Sequence, residues 1–303
     1  MGVLQKLIRV SIMLFSMILI RGAMVGALYA SLAVGFSLIY GVARIINLAH
    51  TAFFMLAAYS LFIFVTLLGF NTVSSVVISI VIVTGVGVAS YKIVLERIRE
   101  HEGPVLLVTI ALAVLFQESM LLGFGSVYRS VAKFVAGNID ILGVTIPIQE
   151  LQILGITVAC LLGVLAFLYW TNIGLAVRVT AQDREVANLM GISGGKVCMV
   201  SVAVGVALAA VAGAVVAPTW IIEPHMWEHP LVMMFAAVIL GGLGSMKGAF
   251  IGAFILGYVE VLVVFLIPEG SFIKGAVALA IMVVILLTRP EGLFGVVFEE
   301  ERL

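Results

Sequence analysis

Residues 171–196 read TNIGLAVRVTAQDREVANLMGISGGK, the one long polar interruption in the second half of a chain otherwise built of apolar runs. An apolar run ending in Tyr169-Trp170 precedes it and another starts at Val197. Leu175, Val179, Val186 and Leu189 fall about one helical stripe apart, while Arg178, Asp183, Arg184 and Glu185 lie elsewhere. Gly191 stands where a helix would end. The pattern predicts one or two short amphipathic helices lying at a membrane surface. Inside an integral membrane protein such an element suggests a docking surface for a soluble partner. An ordinary cytoplasmic loop with a surface helix fits the same pattern.

Composition sets the class. Of 303 residues, 63% are hydrophobic and 11% charged, where a soluble domain carries roughly a quarter charged residues. The mean hydropathy of +1.29 agrees. The expectation is an all-α, polytopic transmembrane protein in which 1–303 is one membrane domain, with the bilayer as its first partner. A formal net charge of zero gives no sign of a nucleic-acid partner. Cys160 and Cys198 sit in or beside apolar runs and make neither a disulfide framework nor a zinc site; they read as packing residues.

Outward from 171–196, the apolar runs give about eight membrane helices. Lys6 and Arg9 precede a run at 10–20 that resembles a signal peptide, but apolar character continues past Arg21 to Tyr40, so an uncleaved first helix is expected. Its excess over the ~20 residues of one crossing calls for a tilt, or a break near Arg21-Gly22. Further spans follow at 52–68, 73–95, 104–124, 151–170 and 197–216. Residues 126–150 form a mixed external loop. Lys92, Arg97 and Arg99 mark a cytoplasmic end, as do Arg178, Arg184 and Lys196.

Two segments are interrupted. Gly41-Val-Ala-Arg44-Ile-Ile-Asn47-Leu-Ala-His50-Thr51 dots polar groups between two apolar runs. The run 231–240 is about half a crossing, breaks at Gly241-Gly242-Leu-Gly244-Ser245-Met-Lys247-Gly248, and resumes at 249–266. Irregular backbone at membrane depth is tolerated where it faces protein or a water-filled path, and a short, glycine-broken span points to a transport path. A surface turn is the plainer reading of the first. The last span is 272–287. Eight plain crossings with both positive loops inside would put both termini outside; the expectation preferred is cytoplasmic termini, with 41–68 and 230–266 each entering and leaving by the outer face. Residues 10–95 and 197–288 would then be parallel repeats.

Several strings resemble one family. Glu185-Val186-Ala187-x-x-x-Gly191 is similar to the EAA-x-x-x-G loop of ABC importer permeases, with Val at the second position. The longer string from Gly174 through Arg178, Asp183 and Glu185 to Gly191 resembles that loop in LivH-type permeases of branched-chain amino acid importers. Gly35-Phe-Ser-Leu-Ile-Tyr-Gly-Val42 and Asn47-Leu-Ala-His50 match further family strings, with Thr51 in place of the usual glycine. Gly241–Ala249 matches Gly-Gly-Leu-Gly-Ser-x-x-Gly-Ala, and the tail from Arg289 to Gly295 matches Arg-Pro-x-Gly-Leu-Phe-Gly.

The resemblance implies a permease subunit of an ABC importer in the cell (plasma or inner) membrane, carrying Leu, Ile or Val. It implies that Gly174, Arg178, Asp183, Glu185, Ala187 and Gly191 couple the chain to an ATPase through 171–196. It implies that Asn47, His50, Gly241, Gly242, Gly244 and Ser245 line the translocation path. The partners implied are a second homologous permease, two ATP-binding-cassette ATPases holding Mg-ATP, and an external solute-binding protein; this chain itself would hold no cofactor. Urea, amides or other small polar solutes are alternative cargoes, since relatives with those substrates share the motifs.

Catalytic motifs are absent. No Gly-x-x-x-x-Gly-Lys-[Ser/Thr], Gly-x-Ser-x-Gly or His-Glu-x-x-His occurs, so ATP would have to be hydrolysed by another chain and no enzyme activity is expected. Glu223, His225, Glu228 and His229 have metal-ligand chemistry, but flanking prolines with Trp220 and Trp227 favour an interfacial belt, and no metal is expected. Arg21, Glu118 and Glu260 are ionisable residues inside spans and Arg44 lies at a break; such residues are costly and mark function or a structural pair. A stand-alone ion-coupled carrier using Glu118 or Glu260 is the rival reading.

Overall fold

A computed structural model of the chain describes residues 2–99, 101–141, 144–289 and 291–294. No proline precedes Pro104, and the first helix, α1 (Gly2–Ala43), runs unbroken through the whole first apolar stretch. Of the two ways to take up its excess length, a tilt or a break near Arg21-Gly22, the break does not form. Arg21 is accommodated instead by Glu150, with Nε 3.5 Å from Oε2, and by the Phe265 ring 5.7 Å from its guanidinium.

Helix α2 (His50–Leu67) ends in a wide π-helical turn, and α3 (Thr72–Ile98) starts at Asn71, whose side-chain oxygen accepts from Val73 N at 2.9 Å. Helix α4 (Glu102–Phe124) stops at Gly125, where φ is +70°. The loop expected over 126–150 carries a small antiparallel hairpin, β1 (Asn138–Ile141) with β2 (Val144–Pro147), and the first residues of α5 (Ile148–Trp170). Two short helices follow, α6 (Asn172–Gln182) and α7 (Arg184–Leu189). Then come α8 (Gly194–Val216), α9 (Glu228–Gly241), α10 (Met246–Leu266) and α11 (Gly270–Thr288).

Among the described residues, eight helices are long and apolar enough to cross a membrane, as the apolar runs predicted. Helix α9 adds a short one of 14 residues, about 21 Å at 1.5 Å per residue.

Small residues set how the helices meet. In lipid there is no hydrophobic force between helices, so close van der Waals approach holds them. Gly35 of α1 lies against Gly205 of α8, Gly26 of α1 against Gly257 of α10, and Gly213 of α8 against the Phe54 carbonyl of α2. A side chain at any of these points would overlap the neighbouring backbone. Around them Tyr29, Phe36, Phe53, Phe54, Met55 and Tyr59 are fully buried, so α1, α2 and α8 form the core, with α10 alongside.

These contacts also fix direction. Gly22 meets Tyr258 and Gly41 meets the Gly244 carbonyl, so α1 and α10 are antiparallel. Gly35 meets Gly205 and the Cys198 thiol lies 3.8 Å from the Val42 carbonyl, so α1 and α8 are antiparallel too. The helices alternate direction throughout, and α1 finishes at the end of the bundle that carries α6 and α7. Three expectations are corrected by this. The breaks after α1 and after α9 open on the α6–α7 end; α2 and α10 each run from that end of the bundle towards the other, and the short α9 leads into it, rather than returning to the face they entered by. Helix α1 starts at the opposite end and α11 finishes at the α6–α7 end, so the start of α1 and the end of α11 do not share an end of the bundle. The triplets α1–α2–α3 and α8–α9–α10 run in opposite senses, so they do not form the parallel repeat expected. Apolar runs alone read the same either way through a bilayer, and reading the interrupted segments as returning to the face they entered miscounts the crossings that relate the ends of the chain to its positive loops.

Candidate functional site

The polar stretch 171–196 folds as a tight double elbow. At its entry Thr171 Oγ1 accepts from Gly174 N at 2.9 Å, capping α6. Gly174 is pressed against the Phe167 carbonyl and the Leu168 backbone, where no side chain fits. At the second elbow Asp183 Oδ1 accepts from Glu185 N at 2.8 Å and Val186 N at 3.0 Å. Gly191 leaves α7 at φ +81°, a backbone conformation suited to glycine. Ala187 is fully buried, while Glu185 is exposed. Arg178 places its guanidinium 4.7 Å from the centre of the Tyr169 ring. Of the six residues expected to couple to a partner, Gly174, Asp183, Ala187 and Gly191 therefore build the elbow, and Glu185 faces outward from it.

The apolar stripe behaves contrary to the usual amphipathic rule. Leu175, Val186 and Leu189 point outward, Leu189 being 88% exposed and its neighbour Met190 75%. What α6 and α7 bury is small: Gly174, Val177, Thr180 and Ala187. The outward apolar face continues through Ile173. An exposed apolar group on a polar element, rimmed by Asp183, Glu185 and Asn188, has the make-up of a protein-docking surface.

Both helix breaks come up against this element. After α1, Arg44 takes φ +56° and its Nη2 lies 3.5 Å from the Ala181 carbonyl of α6. Asn47 Oδ1 accepts from Ala49 N at 3.1 Å, and the Asn47 carbonyl accepts from His50 N at 3.2 Å, turning the chain into α2. After α9, Gly242 and Gly244 take φ of +101° and +81°, and Ser245 Oγ accepts from Gly248 N at 3.1 Å to cap α10. Gly241 and Gly248 are in direct backbone contact across the elbow. Gly244 lies beside Tyr40 and Gly41. A cavity of about 320 Å³ is shared by all three elements, with Gly41, Arg178, Ala181 and Gly244 in its wall.

Not every residue expected on a path faces that cavity. His50 is fully buried among α1, α2 and α8, with its ring edge-on to Phe36 at 6.2 Å. Gly241 is closed by Gly248. The tail also docks here: Leu293 N donates to the Leu240 carbonyl at 2.8 Å and Phe294 N to the Gly241 carbonyl at 3.0 Å, answering the open end of α9. Pro290 and Gly295 of that motif lie outside the described residues.

At the far end, residues that sequence reading did not connect form one buried network. Glu260 of α10 accepts from Tyr29 Oη of α1 at 2.6 Å and from Lys274 Nζ of α11 at 2.6 Å, with His229 Nε2 of α9 at 3.4 Å. Glu118, by contrast, is exposed and 3.4 Å from the Gln117 amide. His225 pairs with Glu228 at 2.8 Å, away from His229. Among the described residues no group of three or more His, Cys, Asp or Glu is placed to hold a metal ion.

Residues 18–286 match the protein family described as branched-chain amino acid transport system, permease component. The chain is 28% identical over 292 residues to the high-affinity branched-chain amino acid transport system permease protein BraD of Pseudomonas aeruginosa, covering 91% of this chain and 94% of that one. It is 29% identical over 293 residues to the permease protein LivH of Escherichia coli, again covering 91% and 94%. Among solved structures, PsaBC of Streptococcus pneumoniae in complex with Fab is similar at a TM-score of 0.48 and 13% identity, over 89% of this chain and 91% of that one, a likeness too slight to carry an argument.

Proposed function

The chain belongs to the family of permease components of branched-chain amino acid transport systems, and from that premise we propose that it is the membrane subunit of an ATP-driven importer of Leu, Ile and Val. It is a transport component and not an enzyme. The observation that carries the proposal is the meeting of α6 with both helix breaks. A soluble ATPase gripping the exposed Leu189–Met190 face would move α6 and α7, and the contacts of Ala181 with Arg44 and Gly41, beside Gly244, would pass that motion to the two places where the membrane helices are interrupted. Glycines at φ above zero and short caps are the hinges such motion needs.

The side of the membrane follows from charge. Arg44, Lys92, Arg97, Arg99, Arg178, Arg184, Lys196, Lys247 and Arg289 gather at the α6–α7 end. By the positive-inside bias that end is cytoplasmic, with the end of α11 inside and the start of α1 outside. Two ATPases would dock on the inner face, one on each of two homologous permeases, and an external binding protein would deliver the amino acid near Trp220 and Trp227. A zwitterionic amino acid with an apolar side chain needs polar contacts at the breaks and an apolar wall from the adjacent spans.

The test is uptake of labelled leucine by cells lacking their own carrier. Replacing Glu185 or Gly191 should abolish uptake while the protein stays in the membrane; uptake at the parental rate would remove the coupling role.

A further inference from the structure

A second cavity, of about 330 Å³, opens sideways between α1, α5 and α10. Its floor is apolar: Val34, Leu161, Leu165, Phe250 and Ile251, with Leu165 and Phe250 half-exposed towards the outside of the bundle. Its rim at the α6–α7 end holds Arg178 and Lys247. No carboxylate lines it and no ion pair engages either cation among the described residues. Arg178 Nε is buried and has no hydrogen-bond partner. Leu161 lies nine residues before Trp170 on α5, so the groove reaches roughly 13 Å inward, close to half of a hydrocarbon core of ~30 Å. An apolar slot one leaflet deep, facing outward, with two unpaired cations at the membrane surface, is complementary to one class of molecule.

We propose that this crevice binds an anionic glycerophospholipid of the leaflet on the α6–α7 side. An acyl chain lies along Leu161, Leu165 and Phe250, and the phosphate sits between Arg178 and Lys247. A phosphate offers acceptor oxygens to both cations at once, and Arg presents several donors in a fixed fork. A basic pocket between membrane helices is a known form of headgroup site. Because Arg178 belongs to α6 and Lys247 to α10, the bound lipid ties the partner-facing helix to the second helix break. Binding itself stands independently of the transport proposal.

The test is native mass spectrometry of the purified full chain, titrated with phosphatidylglycerol and with phosphatidylcholine of matched chains. About 1 kcal/mol per surface cation corresponds to about fivefold in affinity for each. Phosphatidylglycerol should therefore bind about thirtyfold tighter than phosphatidylcholine. Lys247→Gln should remove about fivefold of that preference by weakening phosphatidylglycerol more than phosphatidylcholine, whose phosphate is already offset by its own choline cation, Leu165→Trp should exclude both lipids by filling the slot, and glycerol phosphate without acyl chains should not compete. Equal retention of the two lipids, or a preference untouched by Lys247→Gln or Leu165→Trp, overturns the proposal. So does efficient cross-linking of Leu165→Cys to a second permease subunit in the assembled transporter, which would mean that protein fills the slot.

Discussion

Lys274 Nζ on α11 donates to Glu260 Oε1 on α10 at 2.6 Å, inside a network that also takes in Tyr29 and His229. Glu260 is buried and Lys274 about one third exposed, so the pair lies between the ~1 kcal/mol of an exposed ion pair and the ~3–5 kcal/mol lost on breaking a fully buried one. The network holds α1, α9, α10 and α11 together at the end away from α6. Lys274→Met should destabilise the protein by about 2 kcal/mol, and Glu260→Gln by a similar amount. The double variant should lose less than the sum, read as thermal unfolding in detergent. Additive losses would show that the two side chains act separately. If Glu260 is structural, Glu260→Gln should also leave the ion dependence of uptake unchanged.

Gly174 and Gly155 make an internal comparison. A Cβ on Gly174 would overlap the Phe167 carbonyl and Leu168, whereas nothing lies within 4 Å of one on Gly155. Gly174→Ala should force the α5–α6 turn open and abolish ATP-coupled uptake, with normal membrane insertion. Gly155→Ala should transport at the parental rate. Equal activity of the two variants would show that the turn does not need its close approach.

Leu189 and Met190 are the most exposed apolar groups of the proposed docking face. A central apolar contact in a protein interface is worth about 2 kcal/mol or more, so Leu189→Asp should weaken association with the ATPase subunits at least roughly thirtyfold. Because Leu189 buries little in this chain, the melting temperature should not move. Co-purification of the ATPase and a thermal melt read the two effects separately.

Gly241 and Gly248 touch backbone to backbone. Gly248→Val has to push the start of α10 away from Gly241 of α9. Uptake should be lost and a cysteine at Leu243 should change its accessibility to a water-soluble thiol reagent. Unchanged labelling would mean that the elbow absorbs the side chain without moving.

How much of this was legible in the sequence depends on the distance between partners. The two helices in 171–196, the break at 241–248 and the eight long spans are local patterns of polarity and glycine, and they stand where the sequence placed them. A long first helix was legible, but not the choice between a tilt and a break at Arg21, because the group that accommodates Arg21 is Glu150, far away in the chain. Nor was the Tyr29–His229–Glu260–Lys274 network, whose members come from four helices. Leu175, Val186 and Leu189 keep helical spacing but face outward, since periodicity shows that a stripe exists and not what covers it. Nor do apolar runs show which face a helix break opens on, and Gly41 against Gly244 and Ala181 sets both breaks at the α6–α7 end.

The central claim is that this chain is a conduit worked from its α6–α7 face by a separate motor. The most direct measurement is leucine uptake into proteoliposomes that contain the permease alone, or the permease with its second permease, ATPase and binding-protein partners. Uptake is expected only in the complete set with ATP, and should vanish there with Leu189→Asp. Full-rate uptake by the isolated chain, with or without an ion gradient, would contradict the account.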